Sequence, residues 1–216
     1  MSSRDYHEGV WQAVPEGAVP PDLELRRAFV LERLHAAAGG PSVTRLRVLD
    51  VGCGEGQLTA VIAEAGFDVL GVDVAEEPLR RARALHPGLE LLRVEPDGRW
   101  PLPDAGFDVI WAGETIEHVT DTAGWLSQLR RLLRSGGQLL LSTPAHGPLT
   151  RLGVGLFAGR FERRFDPRAD HVRFYTRRTL VELLADFGFE QIEVREVGGV
   201  PGARRVLLAG AVRTRF

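Results

Sequence analysis

Short apolar runs alternate with amphipathic stretches along most of the chain. The apolar runs predict five strands, at residues 46–51, 68–72, 89–94, 107–112 and 138–142. The stretches between them carry apolar residues at helical spacing and predict three helices, at residues 57–65, 76–85 and 122–134. Nearly continuous apolar strands that alternate with helices are typical of a parallel sheet covered on both faces. The pattern therefore predicts a doubly wound α/β fold.

The pattern is different on either side of this region. Apolar positions at helical spacing in 22–38 predict a helix that ends at a pair of glycines. At the other end, a predicted helix at 177–187 is followed by two strands, 190–197 and 204–212, with only six residues between them. Because a crossover between parallel strands needs about a dozen residues or more, these strands must pair as an antiparallel hairpin. The expected fold is a doubly wound, mostly parallel seven-stranded sheet that ends in an antiparallel hairpin.

The chain has the length of one domain with a short extension. Its 216 residues are enough to bury a single large core. We expect residues 1–40 to form an N-terminal segment and helix, and residues 41–216 to form the main domain. The stretch 144–170 is the one long irregular segment, and segments of this kind inside compact domains are usually functional or mobile.

Composition limits the compartment and the partners. No apolar run is long enough to span a membrane and no secretory signal is visible, so we expect a cytoplasmic location. Cys53 is the only cysteine, which agrees with a reducing compartment. The formal charge of −2 argues against nucleic acid as a partner. Between Arg151 and Arg178, however, eight arginines face only three acidic residues, which suits an anionic ligand or is simply a solvated surface.

The sequence Asp-Val-Gly-Cys-Gly-Glu-Gly at residues 50–56, here called the glycine turn, ends the first strand and opens a helix. A glycine turn at this place is the general site for a nucleotide-like ligand in a doubly wound fold. The spacing differs from the dinucleotide motif G-x-G-x-x-G, because Gln57 stands where the third glycine would be and Gly56 comes earlier. The turn therefore favours a different nucleotide-like ligand.

Acidic residues end the next two strands. Asp73 lies 21 residues after Gly52, where its carboxylate can accept hydrogen bonds from both hydroxyls of a ribose. Asp97 and Gly98 follow the third strand, at a position suited to the edge of an adenine. Both features agree with an adenosine-containing ligand at the carboxyl edge of the sheet.

Taken with two further stretches and the C-terminal hairpin, these motifs carry a resemblance to a known family; the stretches are FDVIWAGETIEHV and LLRSGGQLLLSTP. Over residues 40–213 the chain resembles the class I S-adenosylmethionine-dependent methyltransferases. The resemblance implies that Gly52 and Gly54 pass under the methionine part of the cofactor, that Asp73 holds the ribose and that Asp97 reaches the adenine amine. The full set implied to bind the cofactor is Asp50, Gly52, Gly54, Gly56, Asp73, Val74, Asp97, Gly98 and Glu114. The motif VEPDG departs from the glycine-aspartate pair that relatives often carry there.

Methyl transfer from a sulfonium needs mainly alignment, because the electrophile is part of the cofactor. A phenol or alcohol acceptor must also lose a proton, and histidine is the usual base. The candidate catalytic residues are His118, His146 and His171. The N-terminal segment with Tyr6 and Trp11 is expected to be an aromatic lid over the cofactor, with a hydrophobic staple or a partly ordered tail as the alternatives.

A divalent metal is an alternative use of the same residues. Glu114, Glu117 and His118, joined by His171 from a later loop, are hard-cation ligands. This pattern resembles the metal-assisted methyltransferases, namely the ubiquinone-pathway O-methyltransferases and the small-RNA 2′-O-methyltransferases. Many relatives carry the Glu-His pair without a metal, where it shapes the floor of the pocket, so a metal is not favoured.

The resemblance implies a methyltransferase that moves a methyl group from S-adenosylmethionine to a small-molecule acceptor, at oxygen, and releases S-adenosylhomocysteine. The family inserts its acceptor-binding elements where residues 144–175 lie, and the arginines and phenylalanines there suit an anionic, aromatic or lipid-like acceptor. The alternatives are a metal-assisted RNA 2′-O-methyltransferase and a non-catalytic cofactor-binding protein.

Overall fold

The computed structural model describes residues 3–39, 45–157, 159, 161–162, 165–166 and 170–215. Its helices are α1 Ser3–Ala13, α2 Leu23–Ala38, α3 Gln57–Glu64, α4 Glu76–Leu85, α5 Thr122–Leu132, α6 Pro148–Leu156 and α7 Arg177–Asp186, with a short 3₁₀ turn at Ile116–His118. Its strands are β1 Arg47–Val51, β2 Asp68–Asp73, β3 Glu90–Arg93, β4 Phe107–Gly113, β5 Leu133–Pro144, β6 Phe189–Val197 and β7 Val206–Arg213.

The seven strands form one sheet in the order β3-β2-β1-β4-β5-β7-β6. β3, β2, β1, β4 and β5 are parallel, whereas β7 is antiparallel to both β5 and β6. The predicted doubly wound sheet with a terminal hairpin is therefore confirmed. The strand order reverses between β1 and β4, and ligands of doubly wound folds bind outside the carboxyl ends of strands at such a point.

Two apolar clusters cover the two faces of the sheet, as the nearly continuous apolar strands require. Ile110 of β4 belongs to the cluster that includes Leu126 of α5 and Leu184 of α7. Its neighbour Trp111 faces the other side and belongs to the cluster with Phe29 and Leu34 of α2. Successive strand residues point to opposite faces, so one strand contributes to both clusters. This packing fixes the carboxyl ends of the strands as a rigid edge.

The clearest differences from the sequence prediction lie at the start of β5 and in the stretch 144–170. The helix predicted through residue 134 ends at Leu132, because Leu133 is extended, buried and paired with Phe107 at the start of β5. Pairing with β4 thus outweighs the helical propensity of the leucine and arginine run. The stretch predicted to be irregular contains helix α6, which begins with Pro148. Leu149, Leu152 and Leu156 have helical spacing, so the sequence carried a signal for this helix although none of its residues is buried.

Candidate functional site

A cavity of about 720 Å³ opens at the carboxyl ends of β1, β2 and β4, at the point where the strand order reverses. Its wall is formed by residues after these strands, by the segment after β3, and by side chains from α1 and α5. The lining residues include His7, Val10, Trp11, Val14, Gly52, Asp73, Val74, Asp97, Gly98, Glu114, Thr115, His118, Trp125, Gln128, Arg131 and Asp170. Seven of the residues predicted to bind the cofactor or take part in catalysis thus line one cavity.

The glycine turn is held by its own backbone. The amides of Gly52 and Cys53 both donate to the carbonyl of Val72 in β2, at 2.8 and 3.1 Å. Gly52 has a left-handed φ of 72°, and a Cβ there would lie 2.5 Å from the Thr115 hydroxyl. That hydroxyl cannot move away freely, because it donates to the Val51 and Gly113 carbonyls. Only glycine fits both the conformation and the contact at residue 52.

Asp73 connects the end of β2 to the glycine turn. Its Oδ2 accepts a hydrogen bond from the Gly54 amide and its Oδ1 accepts one from the Ala75 amide, each at 3.0 Å. Burial raises the pKa of this carboxyl group, and the two amides act in the opposite direction. Carboxylate oxygens have lone pairs beyond those used here, and the group lines the cavity. Asp73 can therefore support the turn and still accept hydrogen bonds from a ligand.

Six of the nine residues predicted to bind the cofactor line the cavity: Gly52, Asp73, Val74, Asp97, Gly98 and Glu114. The other three do not. Asp50 is buried behind the turn, where its carboxylate accepts a hydrogen bond from the Thr59 hydroxyl at 2.7 Å and burial raises its pKa to about 7. The Trp11 ring covers Gly54, 2.9 Å from where a Cβ of that glycine would be, and Gly56 caps the N-terminus of α3 against Ala82 and Leu89. These three residues shape the turn without lining the cavity.

Helix α1 covers the glycine turn. Its cavity-facing residues include Trp11, whose ring lies against Gly54. The Glu8 carboxylate accepts hydrogen bonds from the Glu76 and Glu77 amides at 2.8 and 3.1 Å, at the N-terminus of α4. A carboxylate is stabilised there by the free amides and the helix dipole. The helix therefore has a defined seat above the cavity.

A buried ion pair holds the chain that follows α1. Arg81 Nη1 lies 3.0 Å from Glu55 Oε1 and also donates to the Val14 carbonyl at 2.8 Å. Arg81 Nη2 donates to the Trp11 carbonyl at 3.1 Å, and Glu55 Oε2 accepts from the Gly17 amide at 2.9 Å. The sequence prediction did not include this pair. Glu55 stands between two glycines of the turn, where a small side chain would be expected, and this charge was the local indication of a partner.

Glu114 follows β4 and has a positive φ of 51°. Its Oε1 accepts a hydrogen bond from the Ser142 hydroxyl at 2.8 Å and lies 3.5 Å from Arg26 Nη1. Burial raises the pKa of Glu114, and the Arg26 charge opposes this shift. Arg26 is itself buried in α2 and was not predicted as a site residue. In the sequence, Arg26 stands three residues after Leu23 and three before Phe29, so it occupies an apolar position of the helical pattern. A charged residue at such a position indicates a buried partner.

His118 lies at the cavity wall, and its ring is oriented by a later segment. Its Nδ1 is 3.1 Å from the Asp170 carbonyl oxygen, so this nitrogen carries the hydrogen and donates it. The other nitrogen, Nε2, is then a proton acceptor. Burial lowers the pKa of His118, which favours the neutral ring at pH 7. His146 does not line the cavity; its Nδ1 lies 3.0 Å from the Tyr175 carbonyl oxygen, and its ring contacts Phe174.

Glu117, His118 and His171, here called the histidine cluster, place one ligand atom each within 4.8 Å of one another. Glu117 Oε2 accepts a hydrogen bond from the Thr143 hydroxyl, whereas the buried Oε1 has no hydrogen-bond partner among the described residues. A carboxylate with two imidazoles is a donor set that fits a divalent metal. Glu114, the fourth predicted ligand, is not part of this cluster in the described chain, because it is turned to Arg26 and Ser142.

The predicted acceptor segment 144–175 contributes Asp170 to the cavity, and the described remainder of the segment lies outside it. Its aromatic rings contact one another instead. The centroids of Phe161 and Phe165 are 4.8 Å apart, and those of Phe165 and Phe174 are 4.9 Å apart. The described residues contain no helix long and apolar enough to cross a membrane.

Comparison with known proteins gives consistent matches. A family model described as a methyltransferase domain matches residues 23–194. A ubiquinone biosynthesis O-methyltransferase of Ruegeria sp. (strain TM1040) is 34% identical over 154 residues, which are 68% of this chain and 62% of that protein. A probable S-adenosylmethionine-dependent methyltransferase of Mycolicibacterium smegmatis is 35% identical over 166 residues, 76% of this chain and 58% of that protein.

A solved structure covers almost the whole chain. Phosphoethanolamine N-methyltransferase 2 of Haemonchus contortus, in complex with phosphomonomethylethanolamine and S-adenosylhomocysteine, matches with a TM-score of 0.71 over 99% of this chain and 60% of that chain. At 17% identity this likeness concerns the fold. The chain spans 62% and 58% of the length of the two curated relatives above.

Proposed function

The chain belongs to the class I S-adenosylmethionine-dependent methyltransferases, and we propose that it transfers a methyl group to an oxygen atom of a small-molecule acceptor. S-adenosylmethionine, when bound, supplies a methyl group on a positively charged sulfur. The work left to the protein is to bind and align both molecules and to take the acceptor's proton.

The residues of the cavity fit this cofactor. A volume of about 720 Å³ at the switch point of the sheet is within the usual range for small-molecule sites. Asp73 would hold the ribose with the lone pairs that the Gly54 and Ala75 amides leave free. Gly52 would bring the turn close to the methionine part, and Val74, Asp97 and Gly98 would border the adenine. Asp50, Gly54 and Gly56 would act indirectly, by fixing the shape of the turn.

One observation supports oxygen as the methylated atom: His118 lines the cavity and its Nε2 makes no hydrogen bond to a described residue, with Glu117 Oε1 at 4.0 Å. Its Nδ1 hydrogen is donated to the Asp170 carbonyl, so Nε2 can accept a proton from an acceptor hydroxyl. The lowered pKa of His118 keeps the ring neutral and available as a base at pH 7. The name of the Ruegeria relative, a ubiquinone biosynthesis O-methyltransferase, agrees with oxygen as the methylated atom. His146, outside the cavity, would have no part in proton transfer, and His171 would act on the ring of His118, 4.8 Å away.

Helix α1 forms, in this proposal, a lid over the cofactor, whereas α2 packs on the sheet as part of the core. Glu8 would seat the lid on α4, and the buried Glu55–Arg81 pair would hold its C-terminal end. Trp11 would cover the glycine turn. The acceptor would enter beside the segment 144–175, from which Asp170 reaches the cavity.

The proposal is tested by incubating the protein with S-adenosylmethionine and a panel of phenols, catechols, hydroxy acids and primary amines. We expect S-adenosylhomocysteine to form with a hydroxyl-bearing acceptor and the product to carry the methyl group on that oxygen. Methylation of amines alone would contradict the role of oxygen. Tight binding of S-adenosylhomocysteine without turnover of any acceptor would favour a non-catalytic cofactor-binding protein.

The unpartnered Oε1 of Glu117 supports a metal-assisted variant of the same reaction as a second candidate. Glu117, His118 and His171 would hold a divalent cation, which would bind the acceptor oxygen and favour its deprotonated form. His118 Nε2 cannot serve as a metal ligand and as a free base at the same time. A chelator that abolishes turnover, with recovery on adding Mg²⁺ or Zn²⁺, would favour this candidate over His118 as the base. RNA substrates belong in the same assay, because metal-assisted RNA 2′-hydroxyl methylation would give the same metal requirement.

A further inference from the structure

We propose that the surface of α6 and the residues after it docks on an anionic lipid bilayer. This surface, here called the α6 surface, consists of Leu149, Leu152, Leu156, Phe157, Phe161 and Phe165. The docking is independent of the proposed function, because it requires neither cofactor nor acceptor.

The α6 surface concentrates the exposed apolar side chains of the molecule. Of ten large hydrophobic side chains that are exposed among the described residues, six lie between Leu149 and Phe165. Leu156 is 67% exposed and Phe157 is 56% exposed. Val200, 62% exposed, lies in the β6–β7 loop, where Gly202 contacts Leu149. Apolar residues scattered singly are ordinary on a protein surface, but a contiguous group indicates an interaction site.

The apolar side chains of α6 lie on its outer face. At 100° per residue, Leu149, Leu152 and Leu156 fall within an arc of about 60°. All three are exposed, and no residue of α6 is buried. An amphipathic helix in a globular protein normally turns its apolar side toward the core, whereas a helix that lies on a membrane turns it outward. Helix α6 turns its leucines outward, as a helix that lies on a membrane does.

Charge selects a bilayer over a second copy of the chain as the occupant. The segment from Arg151 to Arg178 contains eight arginines and three acidic residues, although the whole chain has a formal charge of −2. Arg151, Arg173, Arg177 and Arg178 are exposed in the described part of this segment. Arg151 lies in α6 itself, whereas Arg178 pairs with Glu182 at 2.7 Å and Arg173 donates to the Thr120 carbonyl. Two copies that met through this surface would bring like charges together, while anionic headgroups would attract them. Arginine side chains can also keep their charge at headgroup level while the apolar residues next to them enter the bilayer.

The α6 surface continues toward the cavity. The Phe161 ring contacts Phe165, which contacts Phe174, and the segment that carries Phe174 also carries Asp170 at the cavity wall. The Val172 and Arg173 amides both donate to the Glu117 carbonyl, at 2.9 and 3.1 Å. A bilayer on the α6 surface would therefore lie beside the entrance through which the acceptor is proposed to reach His118, and acceptors that partition into membranes would be favoured. This consequence, unlike the docking itself, rests on the proposed function.

The test is co-sedimentation of the full chain with vesicles, without cofactor or acceptor. The vesicles are phosphatidylcholine alone or phosphatidylcholine with phosphatidylglycerol, at low and high salt. We expect binding to the anionic vesicles, about tenfold weaker binding to neutral vesicles, and release by high salt. The double variant Leu152→Glu/Leu156→Glu should reduce binding about tenfold or more, since it places two carboxylates on the apolar face. Leu85→Glu, at an exposed leucine of α4, is the matched control and should bind like the parent chain.

The proposal is overturned if the parent chain stays in the supernatant with both kinds of vesicle. It is also overturned if the double variant binds as well as the parent chain, because another surface is then responsible. Self-association that the double variant abolishes, without vesicle binding, would assign the α6 surface to a second copy of this chain. Methyl transfer to a water-soluble acceptor in the same samples reports separately on the proposed function, so the two can fail independently.

Discussion

The glycine turn and the histidine cluster stand at the same edge of the sheet, but different contacts hold them. In the glycine turn, backbone amides of residues 52–54 donate to a neighbouring strand and to Asp73, and glycine conformations fix the path of the chain. In the histidine cluster, side chains from two distant segments meet, and one buried carboxylate oxygen has no hydrogen-bond partner in the described chain. The first region has its polar groups satisfied before any ligand binds, and the second does not.

This difference separates two tasks of the proposed reaction. A binding site for one constant cofactor is served by a rigid, preorganised backbone, whereas proton transfer needs a group whose pKa is shifted by its surroundings. Burial raises the pKa of Glu117 to about 8 and lowers that of His118. Substitutions in the histidine cluster should therefore change the rate, and substitutions in the glycine turn should change cofactor affinity and stability.

The largest effect is expected for His118→Gln. Loss of the proton acceptor should lower kcat by about 10² to 10⁴-fold, the usual contribution of a general base, while the affinity for S-adenosylhomocysteine stays within about twofold. Steady-state kinetics and calorimetry measure the two quantities. In the parent enzyme kcat should fall as the pH drops through the lowered pKa of His118, below its ordinary 6.5.

His146→Gln is the matched control for this experiment, because His146 also bonds to a backbone carbonyl but lies outside the cavity. Its kcat should stay within a few-fold of the parent value. Equal losses in the two variants would contradict the assignment of the base to His118.

The next effect is expected for Gly52→Ala. A Cβ at a φ of 72° costs about 1 to 2 kcal/mol, and its contact with the Thr115 hydroxyl adds about 1 to 3 kcal/mol. Urea unfolding should show this loss, and cofactor affinity should fall as the turn shifts. Gly136→Ala is the control, since Gly136 has a φ of 74° and open space around the Cβ position. A loss no larger than in the control would mean that the Thr115 contact is not restrictive.

Asp73→Ala should weaken binding of S-adenosylhomocysteine by about 1 to 3 kcal/mol, because the ribose hydroxyls and the Gly54 amide lose their acceptor. Asp97→Ala should have a smaller effect, since Asp97 is exposed and competes with water for the same ligand. Calorimetric titration of both variants measures the comparison. An unchanged affinity in Asp73→Ala would remove the ribose role from this residue.

The sequence predicted the fold and several residues of the cavity better than it predicted side-chain partners, and the reason is physical. Strand periodicity and glycine spacing are local signals, and they were enough to locate Gly52 and Asp73 on one cavity wall. Side-chain contacts over long separations leave no such local signal. The contact of His118 with Asp170, the ion pair of Arg26 with Glu114 and the approach of Arg81 to Glu55 depend on tertiary packing, so the sequence could give candidates but not partners.

The last prediction concerns the pH dependence of stability, and it separates the metal-free and metal-bound forms of the histidine cluster. Its pKa is about 8 in the folded chain and 4.5 as its ordinary value, so the folded state holds more protons between these values. Stability should therefore fall as the pH rises from about 4.5 to about 8, and Glu117→Gln should reduce this slope. Part of the slope should remain, because burial also raises the pKa of Asp50 to about 7.

Thermal unfolding from pH 5 to pH 8.5, with chelator and then with Mg²⁺ or Zn²⁺, measures this dependence of stability on pH. A cation bound to Glu117 would favour the ionised carboxylate and would therefore flatten the slope of the parent chain. A slope that responds to metal in the parent chain but not in Glu117→Gln would contradict His118 as a free base.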